Sequence, residues 1–160
     1  KGASIYQQQS NRLMDAVIRR GRLRLGNAEI FSRSESAKPL VRAIRQGTAF
    51  FNLPDMDFGL RDAEFVPFFG TPAATLLAPS RMARALDMVV QPVVAEILPG
   101  GQGYRVNFMA PLQDWPTDDA LADTERLNRW IEARIRENPA QYLWVHKRFK
   151  TRPDGEATLY

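Results

Sequence analysis

The apolar residues of this chain change their spacing repeatedly, and that alternation restricts it to an architecture mixing helices with strands. Leu13, Met14, Val17 and Ile18 recur at helical intervals within Asn11 to Arg20, and Gly21 is expected to stop that helix. Ser4 to Tyr6 reads as the end of a preceding strand. Ser34 or Ser36 is placed to cap a second helix running to about Arg45, with Leu40, Val41 and Ile44 on one face and Gly47 as its stop. Thr48 to Leu53 is a β-branched and aromatic run of buried-strand length, ending at Pro54-Asp55-Met56-Asp57-Phe58-Gly59.

Further on, Ala63 to Phe69 is apolar, and Pro72 to Leu86 reads as a helix interrupted near Pro79. Met88 to Leu98 reads as a strand whose Pro92 argues for a bulge or an edge. The turn Pro99-Gly100-Gly101-Gln102-Gly103 joins it to Tyr104–Met109 as an antiparallel hairpin. Asp118 or Asp119 starts a long helix to about Glu137, with Leu121, Leu127, Trp130, Ile131 and Ile135 facing inward, and Asn138-Pro139 ends it. No repeat or break in composition divides the chain. The expectation is a single α/β domain over residues 1–160, with a mixed sheet flanked by helices.

With 44% hydrophobic residues in 160, the chain has enough apolar material for a core. Its 22 Lys and Arg against 18 Asp and Glu give a net charge of +4, which favours anionic partners: nucleic acid, an anionic membrane surface or a phosphorylated lipid. The absence of cysteine excludes disulfides and thiolate chemistry. A single histidine, His146, leaves little for a metal centre or a Ser-His-Asp triad. No stretch approaches the roughly 18 to 20 apolar residues of a spanning helix, so residues 1–160 are expected to be soluble or peripheral. The opening Lys1-Gly2-Ala3 in place of Met suggests a tag scar, a proteolytic product or an internal start, with residues expected upstream.

Four segments bear on chemistry. Asp55 and Asp57 lie two apart on a loop behind an apolar strand, where carboxylates share a cation, orient an acid/base partner or bind a substrate amine or hydroxyl, or simply shape a turn. Arg19-Arg20-Gly21-Arg22-Leu23-Arg24 gathers guanidinium groups at a helix end, suited to phosphate or to solvation. His146 has Thr151, not an acid, five positions on, and reads as structural. Gly100-Gly101-Gln102-Gly103 joins two strands and reads as a turn, not a phosphate cradle.

Four blocks in order, Gly21-Arg22-Leu23-Arg24, Pro54-Asp55-Met56-Asp57-Phe58-Gly59, Phe65-Val66-Pro67-Phe68-Phe69-Gly70 and Trp144-Val145-His146-Lys147-Arg148-Phe149-Lys150-Thr151-Arg152-Pro153, resemble the lipid A late acyltransferases, the lauroyl and myristoyl transferases of the lysophospholipid acyltransferase group. The resemblance covers nearly the whole chain. It implies the C-terminal portion of a catalytic domain that moves a fatty acyl group from acyl carrier protein to a hydroxyacyl chain of a lipid A precursor, a Kdo-lipid IVA type acceptor. It also implies the cytoplasmic face of the inner membrane for the parent protein. No cofactor beyond the acyl carrier protein thioester as co-substrate is implied, and no metal and no nucleic acid. The family's base, a His followed after four residues by an acid, does not occur in residues 1–160, so this stretch alone is expected to be inactive. By motif, Arg22 and Asp55 correspond to residues tied to activity. Arg24, Asp57, Arg148, Lys150 and Arg152 are expected to bind the acceptor. The picture requires Arg22 and Asp55 to converge beside a lipid-facing cleft. The competing reading is a noncatalytic basic module that binds phosphorylated lipid or nucleic acid through Arg19–Arg24 and Lys147–Arg152.

Overall fold

A computed structural model describes residues 1–33 and 36–160. The chain divides into two compact units, Lys1–Leu53 and Pro54–Tyr160. The first is built on strand–helix alternation: β1 (Gly2–Tyr6), α1 (Arg12–Leu23), β2 (Ala28–Ser32), α2 (Lys38–Arg45) and β3 (Ala49–Phe51). All pairing is parallel, in the order β2-β1-β3, with Tyr6 opposite Ser32 and Ser4 opposite Phe51. Parallel neighbours need a long crossover, and α1 and α2 provide it. Ala3, Tyr6, Leu40, Ala43 and Ile44 are the buried apolar residues described in this layer.

Helix α1 starts where Asn11 Oδ1 accepts from the Leu13 and Met14 amides at 3.0 and 3.1 Å. It then runs through Gly21 to Leu23, past the expected stop. Gly21 has no atom within 4 Å of where a Cβ would stand and no positive φ, so it is a helical residue on an open face. The chain turns instead at Gly26, whose φ of 74° is the left-handed conformation glycine adopts freely. Strand β2 was not foreseen from sequence. The N-cap of α2 is Ala37, which makes no side-chain cap bond, and not Ser36, whose Oγ accepts from the Lys38 amide at 3.3 Å; Pro39 stands in the first turn. The alternative cap, Ser34, lies outside the described residues.

The second unit is antiparallel. β4 (Ala63–Phe68) and β5 (Thr71–Leu76) form a tight hairpin, followed by α3 (Ala78–Ala85), then the hairpin of β6 (Val93–Ile97) and β7 (Tyr104–Phe108), and finally α4 (Ala120–Glu137). Residues 72–86 are therefore half strand and half helix. Pro79 opens α3 and does not interrupt it, since a proline in the first turn loses no intrahelical bond. The two-residue turn Phe69-Gly70, with φ of 51° and 75°, drives β5 back along β4. Pro92 immediately precedes β6. Asp119 caps α4 through the Leu121 and Ala122 amides, both at 3.0 Å. Leu127 and Ile135 are buried, Trp130 and Ile131 half-buried, and Leu121 is exposed, contrary to the inward placement read from its spacing.

The α/β class holds, with parallel and antiparallel pairing distributed over three small sheets. Two apolar clusters organise the second unit: Phe68, Ala73 and Ile135 with Tyr142 and Phe149, and Ala83, Trp115 and Leu127 with Leu112. Among the described residues no helix is long and apolar enough to cross a membrane.

Candidate functional site

The loop Pro54–Gly59 reaches its shape through Asp57. One carboxylate oxygen accepts from the Gly59 amide at 2.8 Å, which bends the chain where Gly59 takes a φ of 83°. The same oxygen accepts from the Thr151 hydroxyl at 2.9 Å, and the other from the Thr151 amide at 2.7 Å. Burial alone would raise the Asp57 pKa. The Gly59 and Thr151 hydrogen bonds and the Lys150 charge outweigh it and hold the carboxyl below its ordinary value. A residue 94 positions away in sequence thus fixes the loop.

Asp55 is half-buried on the same loop. His146 Nε2 approaches its backbone carbonyl at 3.3 Å, and His146 Nδ1 approaches the Leu143 carbonyl at 2.5 Å. Which ring nitrogen donates depends on the tautomer, and either one has a backbone carbonyl to meet. The histidine is therefore engaged with backbone, as its sequence context implied. The Tyr142 hydroxyl is buried and has no hydrogen-bond partner of standard geometry among the described residues. Burial, then the adjacent Asp55 carboxylate, push its ionisation far up, so it stays a neutral phenol.

Arg148 is 1% exposed. Its guanidinium donates to the Ala74 carbonyl at 2.8 Å and the Thr75 hydroxyl at 2.5 Å, and lies 5.1 Å from the Phe68 ring centroid. Burial lowers its pKa, and the Asp55 and Asp57 carboxylates oppose that; an arginine remains charged regardless. Arg152 donates to the Pro72 carbonyl at 2.7 Å and pairs with Glu156. Both guanidinium groups, expected to hold acceptor phosphate, are thus engaged with β5. Lys150 is exposed. Arg22 and Arg24 belong to the first unit, exposed at the C-terminal end of α1.

Helix α4 supports the same region with a polar stripe. Asn128 donates to the Pro67 carbonyl at 3.0 Å, and Glu132 accepts from the Phe69 amide at 2.8 Å. These bonds satisfy backbone groups at the hairpin tip that no strand reaches. In the second unit, the block Phe65–Gly70, the Asp loop and the tail 144–153 are consequently one connected structure. Among the described residues no three His, Cys, Asp or Glu side chains gather as a metal site requires.

Compared with known proteins, residues 1–151 match the family described as bacterial lipid A biosynthesis acyltransferase. The chain belongs to this family. It is 34% identical to the lipid A biosynthesis lauroyltransferase of Escherichia coli K12 over 160 residues, 99% of the chain and 52% of that protein. It is 35% identical to the palmitoleoyltransferase of the same organism over 156 residues, 97% of the chain and 50% of the relative. For the myristoyltransferase the figure is 32% over 162 residues, all of the chain and 49% of the relative. The chain spans about half the length of the curated relatives it matches. Within a lipid A acyltransferase chain, then, the tail block is a clamp on the loop that carries Asp55. Two members of that clamp, Tyr142 and Thr151, were not singled out from sequence. Tyr142 sat in a segment notable only for its aromatic content, and the role of Thr151 depends on a partner in another part of the chain.

Proposed function

We propose that the protein transfers a fatty acyl chain from acyl carrier protein to the hydroxyl of a hydroxyacyl chain on a phosphorylated glycolipid, a lipid A precursor of the Kdo-lipid IVA type, at the cytoplasmic face of the inner membrane. The observation that carries this reading is the contrast between the two loop carboxylates. Asp57 has both oxygens engaged by Gly59 and Thr151, whereas Asp55 is half-buried beside a neutral phenol and a buried guanidinium. A rigid loop that presents one carboxylate suits orientation of a reacting hydroxyl.

In this reading Asp55 orients the acceptor, and the exposed Lys150 of the same unit meets its phosphate or sugar-acid groups through charge-assisted hydrogen bonds. Asp57, Arg148 and Arg152 act one step removed, by holding the loop. The only histidine lies against two backbone carbonyls, so the base that takes the hydroxyl proton is assigned to residues outside 1–160. Once deprotonated, the acceptor oxygen attacks the thioester carbonyl and the carrier thiol leaves with a proton.

The test is turnover with acyl carrier protein thioesters and the lipid acceptor. In the whole gene product, Asp55→Asn is expected to lower kcat at least a hundredfold with its thermal midpoint unchanged, and residues 1–160 alone are expected to be inactive. Turnover by residues 1–160 alone would refute the missing-base assignment. Undiminished turnover by Asp55→Asn, with binding of phosphorylated lipid retained, would favour the noncatalytic basic module.

A further inference from the structure

The net positive charge of residues 1–160 lies in the first unit. Residues 1–53 hold ten Lys and Arg against three Asp and Glu, a net +7, while residues 54–160 hold twelve against fifteen, a net −3. The described carboxylates of the first unit do little to offset it. Asp15 is 8% exposed and accepts from the Gln9 amide, and Glu29 pairs with Lys1. Arg20, Arg22 and Arg24 at the end of α1 remain exposed.

The apolar side of α1 faces outward. Leu13, Met14 and Val17 are 73%, 52% and 58% exposed, and Leu25 just beyond the helix is 79% exposed. At 100° per residue these three helical positions share one sector, which Gly21, Arg20 and the helical C-cap Arg24 continue to the end of the helix. The opposite side carries buried Asp15, half-buried Ile18, and Arg19, whose guanidinium donates to the Tyr6 hydroxyl at 2.5 Å. An apolar stripe that ends in exposed arginines has the composition of a helix that lies in a membrane interface. Its side chains enter the acyl boundary, and the guanidinium groups stay at the level of anionic headgroups.

We propose that this face of α1 seats the first unit on an anionic lipid bilayer, with Leu13, Met14 and Val17 entering the interface and Arg20 and Arg24 on the headgroups. The proposal rests on the reading above, in which the acceptor is a membrane lipid, and names the surface that brings the protein to it. A soluble polyanion would satisfy the arginines and leave the apolar stripe in water. A second copy of the chain would bring +7 against +7.

Residues 1–160 hold no cysteine; in the whole gene product, with any cysteine outside them replaced by serine, Val17→Cys gives a single attachment point for a polarity-sensitive fluorophore, with Asp118→Cys in the second unit as the control. With phosphatidylglycerol vesicles, the label at 17 is expected to shift to the blue and the label at 118 to stay unchanged. With phosphatidylcholine vesicles, or at high salt, the shift at 17 should weaken by more than tenfold in apparent affinity. Leu13→Ser/Met14→Ser/Val17→Ser should lower cosedimentation with phosphatidylglycerol vesicles by at least tenfold, and Arg20→Gln by about fivefold, both with an unchanged circular dichroism spectrum. Equal binding to both lipids would overturn the proposal, as would cosedimentation undiminished by the triple substitution, or a concentration-dependent dimer that hides the label at 17 without any lipid. None of these readouts involves turnover, so their failure leaves the acyl-transfer assay to stand or fall by itself.

Discussion

Thr151→Val isolates one strut of the loop clamp. Valine keeps the β-branched shape and the backbone amide that donates to Asp57 at 2.7 Å, and removes the hydroxyl that donates at 2.9 Å. A hydrogen bond to a charged group contributes about 1.5–3 kcal/mol; near a loop surface the lower end applies, so the expected destabilisation is about 1.5 kcal/mol at neutral pH. All three tryptophans, Trp115, Trp130 and Trp144, lie in the second unit. Urea unfolding followed by tryptophan fluorescence therefore reads the unit in which the bond resides. Because the folded Asp57 pKa is depressed, its stabilisation is complete above the unfolded value of about 3.9 and is lost as the pH falls through the folded value. The gap between wild type and Thr151→Val should thus be full at pH 7 and close below about pH 4. An equal gap at both ends, or one under about 0.5 kcal/mol at pH 7, would refute the claim that the hydroxyl serves an ionised Asp57.

Arg148→Met keeps an apolar stem over Phe68 but leaves the Ala74 carbonyl without its donor, so a loss of about 3 kcal/mol is expected in the same urea assay. A loss under 1 kcal/mol would mean that the guanidinium contributes little to holding β5. Gly21→Ala, at a helical position with open space around the missing Cβ, should raise the stability of the first unit by about 0.5–1 kcal/mol, read by circular dichroism melting. A lowered midpoint would mean that the position is not helical in solution.

The elements legible in the sequence were those whose signal is local. Helix α4 combined eighteen periodic residues with an aspartate cap, and the β6–β7 hairpin had a glycine-rich turn between two apolar runs. Strand β2 lacked any such signature: every residue from Ala28 to Ser32 is half-buried, so its sequence neither alternates nor runs apolar. Residues 72–76 resemble a helix because Ala73 and Ala74 favour one, but the Phe69-Gly70 turn forces them into register with β4, Pro72 opposite Pro67. At the site, the Pro54–Gly59 loop was visible as a polar turn behind a strand, and the hydrogen bonds that tie Asp57 to Gly59 and Thr151 were not. Charge alone does not tell whether an arginine meets a ligand or the oxygens of a neighbouring strand. Arg148 and Arg152 lie against β5 because that hairpin offers Pro72, Ala74 and Thr75 oxygens to them, a fact of tertiary structure that the tail segment does not encode by itself.

The clamp changes how substitutions in the tail should be read. Between His146 and Arg152 the chain touches the Asp55 carbonyl, both Asp57 oxygens and three groups of β5, so losing one contact loosens the loop and the hairpin together. Activity lost at Arg148, Thr151 or Arg152 should therefore be accompanied by lost stability and recover in part at lower temperature. Lys150 differs, because its ammonium is exposed and bears on Asp57 only through its charge. Lys150→Gln should leave the urea midpoint within about 0.5 kcal/mol and, if this cation meets the acceptor, raise KM with little change in kcat. A scan that measures turnover without stability would assign chemistry to residues whose work is to hold one carboxylate still.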